Sequence, residues 1–184
     1  MPVPSSFRRT LRRRMAPLAL ILAAGSTIAG CSWFKGDYAD AKCPVVAIPD
    51  DLAHVSHFQG QGTDFANLAV SARLSDLKGG CTFDKDGVTV DMTVSLVAQA
   101  GPAMTDRNAD FAYFVAILDP NGAILAKKVF PAPIDFPTGQ QRRGSVESIT
   151  QRIPLADFHK AGNYRVEVGF QLSQEELNYN RGGH

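Results

Sequence analysis

An alternation of apolar and polar side chains with a period of two dominates the middle of the chain and limits its fold more than any other feature. The apolar set is Val88, Val90, Met92, Val94, Leu96 and Ala98. The opposite face carries Thr89, Asp91, Thr93, Ser95 and Gln99. Successive side chains of a β-strand point to opposite faces, so the pattern predicts a long strand with one face in a core and the other in solvent.

The same period, interrupted by turn residues, recurs along the chain, whereas long helical periodicity is missing. Further strands are predicted at residues 45–48, near Val55, and at 68–74, 81–83, 111–118, 124–130, 144–153 and 164–172. Residues 111–118 are apolar on both faces, which predicts a central strand, and the more polar residues 144–153 predict an edge strand. Residues 131–143 contain three prolines and are expected to lie outside the core. The pattern predicts an all-β domain.

The turn before the last predicted strand, residues 154–164, resembles the tyrosine corner of immunoglobulin-like sandwiches. In that motif a Tyr at the start of a strand donates its hydroxyl to upstream backbone. Tyr164 would hold this role, although Val166 stands where antibody domains have a cysteine. The resemblance implies an immunoglobulin-like or fibronectin-III-like sandwich of seven to eight strands. Residues 173–176 have the Ser-x-x-Glu spacing of a capping box and predict a short helical turn after it.

The N-terminus has the parts of an export signal. Five arginines lie between residues 8 and 14, and the apolar residues 15–24 follow. A membrane-spanning helix needs about 20 unbroken apolar residues, and this run is shorter and interrupted, which makes a retained membrane helix the weaker alternative. The next stretch, Ile28-Ala29-Gly30-Cys31, resembles the lipobox of bacterial lipoproteins. The resemblance implies that residues 1–30 are a cleaved lipoprotein signal peptide and that Cys31 is acylated on its thiol and its new amino group.

Cleavage at that point defines the domain organisation of the mature chain. Residues 31–42 are a lipidated tether, residues 43–172 the β-sandwich domain, and residues 173–184 a helical turn and tail. Five of the 19 basic residues and none of the 18 acidic residues lie in residues 1–30, so the formal charge changes from +1 to −4. A mildly acidic domain lacks the basic face that nucleic acid requires. We therefore expect no nucleic-acid partner.

The number and spacing of the cysteines are consistent with export. Lipidation uses Cys31 and leaves Cys43 and Cys81, which we expect to form a disulfide in an oxidising compartment. A redox-active pair would more often show Cys-x-x-Cys spacing, which is absent. In the chain-entropy model, closing this loop of about 38 residues stabilises the fold by about 4 kcal/mol.

Several short motifs are spread over most of the mature chain. They are Cys81-x-Phe83-Asp84, Gly87-Val88-x-Val90, Gly101-Pro102-Ala103, Tyr113-Phe114-Val115-Ala116, Leu118-Asp119-Pro120-x-Gly122, Ala126-Lys127, Gly169-Phe170-Gln171-Leu172 and Glu175-Glu176-Leu177. Together they resemble a family of uncharacterised alphaproteobacterial envelope lipoproteins. The resemblance implies a lipid-anchored protein with a β-sandwich, and it supplies no catalytic residues.

The residue after the lipobox indicates to which membrane the protein is attached. In many Gram-negative lipoproteins an aspartate in this place retains the protein at the inner membrane, and here the residue is Ser32. We therefore expect attachment to the outer membrane, facing the periplasm, with the inner membrane as the alternative. Trp33 and Phe34 suit the membrane interface, or else pack on the domain.

Candidate sites for chemistry are few. His54 and His57 are three residues apart, but a transition metal would need a third ligand such as His159 or His184. Residues 84–87 lack the third acidic position and the closing Glu of an EF-hand loop, so they predict a hairpin turn. A local basic patch is a further candidate, formed by Lys127, Lys128, Arg142 and Arg143. No metal or cofactor is predicted.

The mature sequence contains no Gly-x-Ser-x-Gly elbow, no His-Glu-x-x-His motif and no phosphate-binding glycine loop. We therefore expect a non-enzymatic binding or assembly module with a periplasmic or envelope protein partner. The polar strand 144–153 is one candidate surface for strand addition. The alternative is a small-molecule, metal or carbohydrate binder, or a cryptic hydrolase, that uses the loops at residues 102–110 and 131–143.

Overall fold

The computed structural model of the chain describes Tyr38 and residues 40–182. The predicted signal peptide, the lipidation residue Cys31, most of the tether 31–42 and the tail residue His184 lie outside the described residues. Within the described part of the chain, no helix has the length and apolar character needed to cross a membrane.

Eight strands in two four-stranded sheets make up the domain, which confirms the predicted all-β sandwich. The strands are β1 (Val45–Ala47), β2 (His54–Phe58), β3 (Leu68–Asp84), β4 (Gly87–Ala100), β5 (Asn108–Leu118), β6 (Ile124–Asp135), β7 (Arg142–Pro154) and β8 (Arg165–Phe170). Sheet 1 has the order β1-β8-β5-β6, and sheet 2 has the order β2-β3-β4-β7. The β1–β8 pair is parallel and the others are antiparallel. Short 3-10 turns span Asp50–Leu52, Phe65–Asn67 and Phe158–Asn163.

The core lies between the two sheets and is centred on β4. The six apolar residues of the β4 alternation are all buried and belong to one cluster. Sheet 1 supplies the facing side chains, among them Val115, Val168 and Phe170. Because one face of each sheet packs against the other, the period-two pattern in the sequence corresponds directly to the inner faces.

Strand β5 is covered on both faces, as its doubly apolar sequence predicts. Its outer face forms a second small cluster of Phe114, Ala116 and Leu118, and Leu52 packs against it. The Lys127 ammonium lies 4.0 Å from the centre of the Phe114 ring. A short 3-10 turn and a lysine therefore cover the part of sheet 1 that would otherwise expose an apolar strand.

The expectation that residues 131–143 lie outside the core was wrong. Strand β6 continues to Asp135, and Ile134 and Phe136 are buried in the main cluster. The Phe136 N–H donates to the Arg107 carbonyl at 2.7 Å, so the even-numbered residues of β6 bond to β5. The odd-numbered prolines in β6, Pro131 and Pro133, therefore face the open edge of sheet 1, where the missing N–H leaves no ladder bond unmade.

The predicted disulfide is present between Cys43 and Cys81, with a Cα–Cα distance of 5.8 Å. Cys81 belongs to β3 of sheet 2, whereas Cys43 lies two residues before β1 of sheet 1. The bridge therefore connects the two sheets near their β1 and β3 elements. β1 has only three residues, so the bridge fixes the chain next to a short strand.

Tyr164 occupies the position expected for a tyrosine corner, immediately before β8, and its ring packs against the core. Its carbonyl accepts the Val45 N–H at 3.2 Å. Its hydroxyl makes no hydrogen bond with a described residue, so the side-chain bond that defines the motif is absent from this part of the chain. The residue acts here through its ring and its backbone.

A single α-helix, α1 (Gln174–Asn180), follows the last strand. The Ser173 hydroxyl accepts the Glu176 N–H at 3.2 Å, and the Glu176 carboxylate accepts the Ser173 N–H at 2.7 Å, so the capping box predicted from the sequence is present. Asn180 donates to the carbonyls of Asp51 and His54 at 2.9 and 2.8 Å. These bonds attach α1 to the start of β2.

Candidate functional site

Strand β7 forms a long edge of sheet 2 and is the candidate site. It pairs with β4 from Arg142 opposite Gln99 to Pro154 opposite Gly87, without a register shift. No other strand among the described residues pairs with its second side. The edge strand expected at residues 144–153 lies within β7. Open strand edges offer backbone hydrogen bonds to another chain.

The hydrogen bonds at the two ends of β7 show which residues face the open edge. The Ala100 N–H donates to the Gln141 carbonyl at 2.8 Å, and the Leu155 N–H donates to the Asp86 carbonyl at 3.0 Å. Odd-numbered residues of β7 therefore bond to β4, because the backbone groups of an antiparallel strand alternate in direction. The even-numbered residues direct their outer backbone groups toward the open edge, and they are Arg142, Gly144, Val146, Ser148, Thr150, Arg152 and, at the end of the strand, Pro154.

The outward-facing residues of β7 suit an added strand. All seven are exposed, with Val146 at 68%, and only the terminal Pro154 lacks an N–H to donate. The Thr150 carbonyl accepts the Gln151 side-chain amide at 3.0 Å, which is an exposed bond between neighbours that a partner strand can replace. The edge therefore presents a ladder of backbone donors and acceptors beside accessible side chains.

A carboxylate that points inward limits which chains pair with this edge. The odd-numbered Glu147 faces the sandwich interior and accepts the Ser145 hydroxyl at 2.7 Å. Burial raises the pKa of Tyr113, and the Glu147 carboxylate, which interacts with its hydroxyl, raises it further. Inward-pointing charges are one way in which native edge strands avoid pairing with copies of themselves. An inward-pointing Glu147 therefore disfavours the pairing of β7 with a second copy of itself.

The predicted basic patch is divided between the two sheets. Lys127 and Lys128 lie on β6 of sheet 1, where each ammonium is placed over an aromatic ring. Arg142 and Arg143 begin β7 of sheet 2, and Arg143 donates to the Gln140 side chain at 3.1 Å. The four basic residues are close in sequence but do not form one patch, because β6 and β7 belong to different sheets.

The two histidines of the His54-x-x-His57 segment do not form a pair. Residues three apart on a strand point to opposite faces. His57 stacks on Phe111 with ring centres 5.2 Å apart, and its Nε2 lies 3.2 Å from the Glu176 carboxylate. No group of three potential metal ligands occurs among Tyr38 and residues 40–182. The His159 ring packs against the Phe158 ring, with centres 4.3 Å apart.

A cleft of about 420 Å³ lies between β2 and α1 and contains the His57–Glu176 pair. Three of its polar residues, His57, Ser173 and Glu176, help to hold the helix in place. One Glu176 oxygen accepts the Ser173 N–H and the other lies against His57. Phe58 and Tyr179 pack edge to face at 5.2 Å at the same contact. The cleft is therefore part of the contact at which α1 packs against β2.

Residues 84–87 form the hairpin turn between β3 and β4, as predicted. The Asp84 carboxylate accepts two hydrogen bonds from Arg152, at 2.7 and 2.8 Å, and one from the Asp86 N–H at 2.8 Å. Arg152 first, and the Asp86 N–H second, hold the pKa of Asp84 below its ordinary value. The Asp84 carboxylate therefore connects the turn to β7 through a structural ion pair with Arg152.

The loops expected at residues 102–110 and 131–143 are shorter in the structure, because β5 begins at Asn108, β6 ends at Asp135 and β7 begins at Arg142. The remaining connections meet at one end of the sandwich, as the sequence suggested. Arg107 joins them, and its guanidinium donates to the carbonyls of Phe136, Pro137 and Gln140 at 2.7–2.8 Å. Nothing in the sequence pattern distinguishes this arginine from the other charged loop residues. The three bonds occupy its guanidinium and stabilise the loops, so this end of the sandwich offers no free cation at Arg107.

No family model matches the chain, and no curated protein matches it. A solved structure titled "The structure of a beta-glucuronidase from glycoside hydrolase family 2" is similar over 43% of this chain, with a TM-score of 0.28 and 16% sequence identity. The match covers 8% of the length of that glucuronidase chain. A likeness of this degree carries no argument about function.

Proposed function

We propose that the protein is a lipid-anchored envelope module that binds an extended segment of a protein partner by adding it as a strand beside β7. In this proposal Cys31 carries the lipid and the domain faces the periplasm from the outer membrane. The module is not an enzyme, and the membrane and the partner strand are its two attachments. The lipobox-like stretch supports the anchor, and the open edge of β7 supports the binding mode.

The observation that carries the binding mode is the length and regularity of the open edge. Thirteen residues of β7 hold an unbroken register with β4, so the outward backbone groups are evenly spaced. Peptides that extend an exposed sheet edge gain affinity from main-chain hydrogen bonds and specificity from alternate side chains. Here the alternate side chains would contact Val146 and its neighbours on the outer face of sheet 2.

Proline substitution at Ser148 tests the proposal. The Ser148 N–H faces the open edge, so Ser148→Pro removes a donor from the partner side and leaves the β4–β7 bonds in place. With a photo-crosslinking residue at position 146 in the native envelope, we expect a crosslinked protein adduct in Ser148→Ala and at least a tenfold weaker one in Ser148→Pro. Thermal unfolding of both variants checks that the fold is kept. Equal adduct yields in the two variants would contradict strand addition.

A further inference from the structure

We propose that the outer face of sheet 2 contains a binding groove for a small ligand that carries several oxyanion groups, with Arg73 and Arg142 as its charged contacts. The groove has a volume of about 520 Å³, and its polar lining consists of His54, Ser56, Ser71, Arg73, Ser75, Gln99 and Arg142. It is separate from the ladder of β7, with which it shares only Arg142. The inference therefore does not depend on the proposed strand addition.

The hydrogen-bond partners of the arginines point to this groove. Residues 40–182 contain seven arginines, and five of them make hydrogen bonds or ion pairs with carboxylates, carbonyls or an amide of the domain: Arg107, Arg143, Arg152, Arg165 and Arg181. The remaining two, Arg73 and Arg142, make no hydrogen bond or ion pair with a described residue. Both line the same groove. The two guanidinium groups are thus free to bind a ligand.

Strand register places the two arginines on the same face at a usable separation. Arg73 on β3 lies opposite Val97 on β4, which lies opposite Gly144 on β7, and Arg142 is two residues further along β7. From strand spacing and rise per residue, their Cα atoms are about 12 Å apart. Gly144 lies on β7 between Val97 and the open edge, and it has no side chain that would project above the outer face of sheet 2. The space between the arginines therefore stays open on the β7 side.

The chemistry of the lining favours an anion. Its side chains supply guanidinium, imidazole, amide and hydroxyl donors, and no carboxylate is among them. Asp76, which follows Ser75, accepts the Ser75 hydroxyl at 3.1 Å and does not line the groove. Guanidinium groups bind phosphate and carboxylate in a planar, two-point geometry. The two guanidinium groups, with the neutral donors between them, suit a ligand that carries more than one oxyanion group.

Calorimetric titration of the full mature chain in nonionic detergent with tripolyphosphate, at low salt, tests the groove. We expect saturable binding that weakens at least tenfold in Arg73→Ala and in Arg142→Ala. Arg165→Ala, which removes an exposed arginine from sheet 1, and Ser148→Pro should both retain the binding. The second of these separates the groove from the β7 edge. Unchanged thermal unfolding in all variants checks the fold.

Three results would overturn the groove proposal. The first is an absence of tripolyphosphate binding by the unsubstituted chain. The second is binding that both arginine variants keep in full. The third is binding confined to phosphatidylglycerol vesicles with none to tripolyphosphate, which would make this face a membrane contact.

Discussion

Replacing Phe136 by Ala is expected to lower the free energy of unfolding by about 3–5 kcal/mol, the usual cost of deleting a buried aromatic side chain. Phe136 is only 2% exposed and belongs to the main core cluster, although it lies just after the last residue of β6. Its N–H bonds to Arg107, and its carbonyl accepts the Arg107 guanidinium at 2.8 Å. The backbone is therefore held in place and cannot collapse readily into the cavity.

Urea unfolding of the chain measures this effect. The matched control is Phe65→Ala, because Phe65 is 76% exposed and its loss should change the free energy of unfolding by less than about 0.5 kcal/mol. A loss below about 1 kcal/mol for Phe136→Ala would show that the segment after β6 is not part of the core. It would restore the prediction made from the prolines alone.

The strand pattern was predictable because the polarity of each strand face matches whether that face is covered or exposed to solvent. The alternation in β4 and the doubly apolar β5 follow from that rule, and both strands lie where expected. The end of β6 was not predictable, because Pro131 and Pro133 look like strand breakers until the strand is known to lie at an edge. Proline disrupts a ladder only on the bonded side, and sequence alone does not tell which side of a strand is bonded.

Replacing Cys31 by Ser is expected to abolish incorporation of labelled palmitate into the chain. Acyl chains bind a membrane with about 0.8 kcal/mol for each buried CH₂, and stable anchoring takes two membrane-binding signals. Acylation of both the thiol and the amino group of one residue would satisfy that requirement. Cys31 lies outside the described residues, so this prediction rests on the Ile28–Cys31 stretch and its basic and apolar leader.

The matched control for the lipid label is Cys81→Ser, which removes a cysteine that the structure assigns to the disulfide. That variant should keep the label, even though the loss of the bridge destabilises the domain. Labelling followed by immunoprecipitation gives the measurement. Full labelling of the Cys31→Ser chain would exclude this residue as the anchor.

The candidate site was predictable only in part. The polar character of residues 144–153 indicated an edge strand, and that strand is the open edge β7. The groove was not found, because Arg73 and Arg142 are 69 positions apart in sequence and meet only through the β3–β4–β7 register. For the same reason the His54-x-x-His57 spacing was misleading as a metal pair: a helix nearly aligns residues three apart, whereas a strand separates them.

The open edge of β7 is tested most directly by amide hydrogen exchange, resolved by residue with NMR, in the isolated chain and in the complex captured through position 146. In the isolated chain, the amides of Gly144, Val146, Ser148 and Thr150 should exchange fast, while their odd-numbered neighbours are protected by β4. In the complex, the even-numbered amides should become protected as well. Even-numbered amides that stay unprotected in the complex, or that are already protected in the isolated chain, would contradict strand addition at this edge.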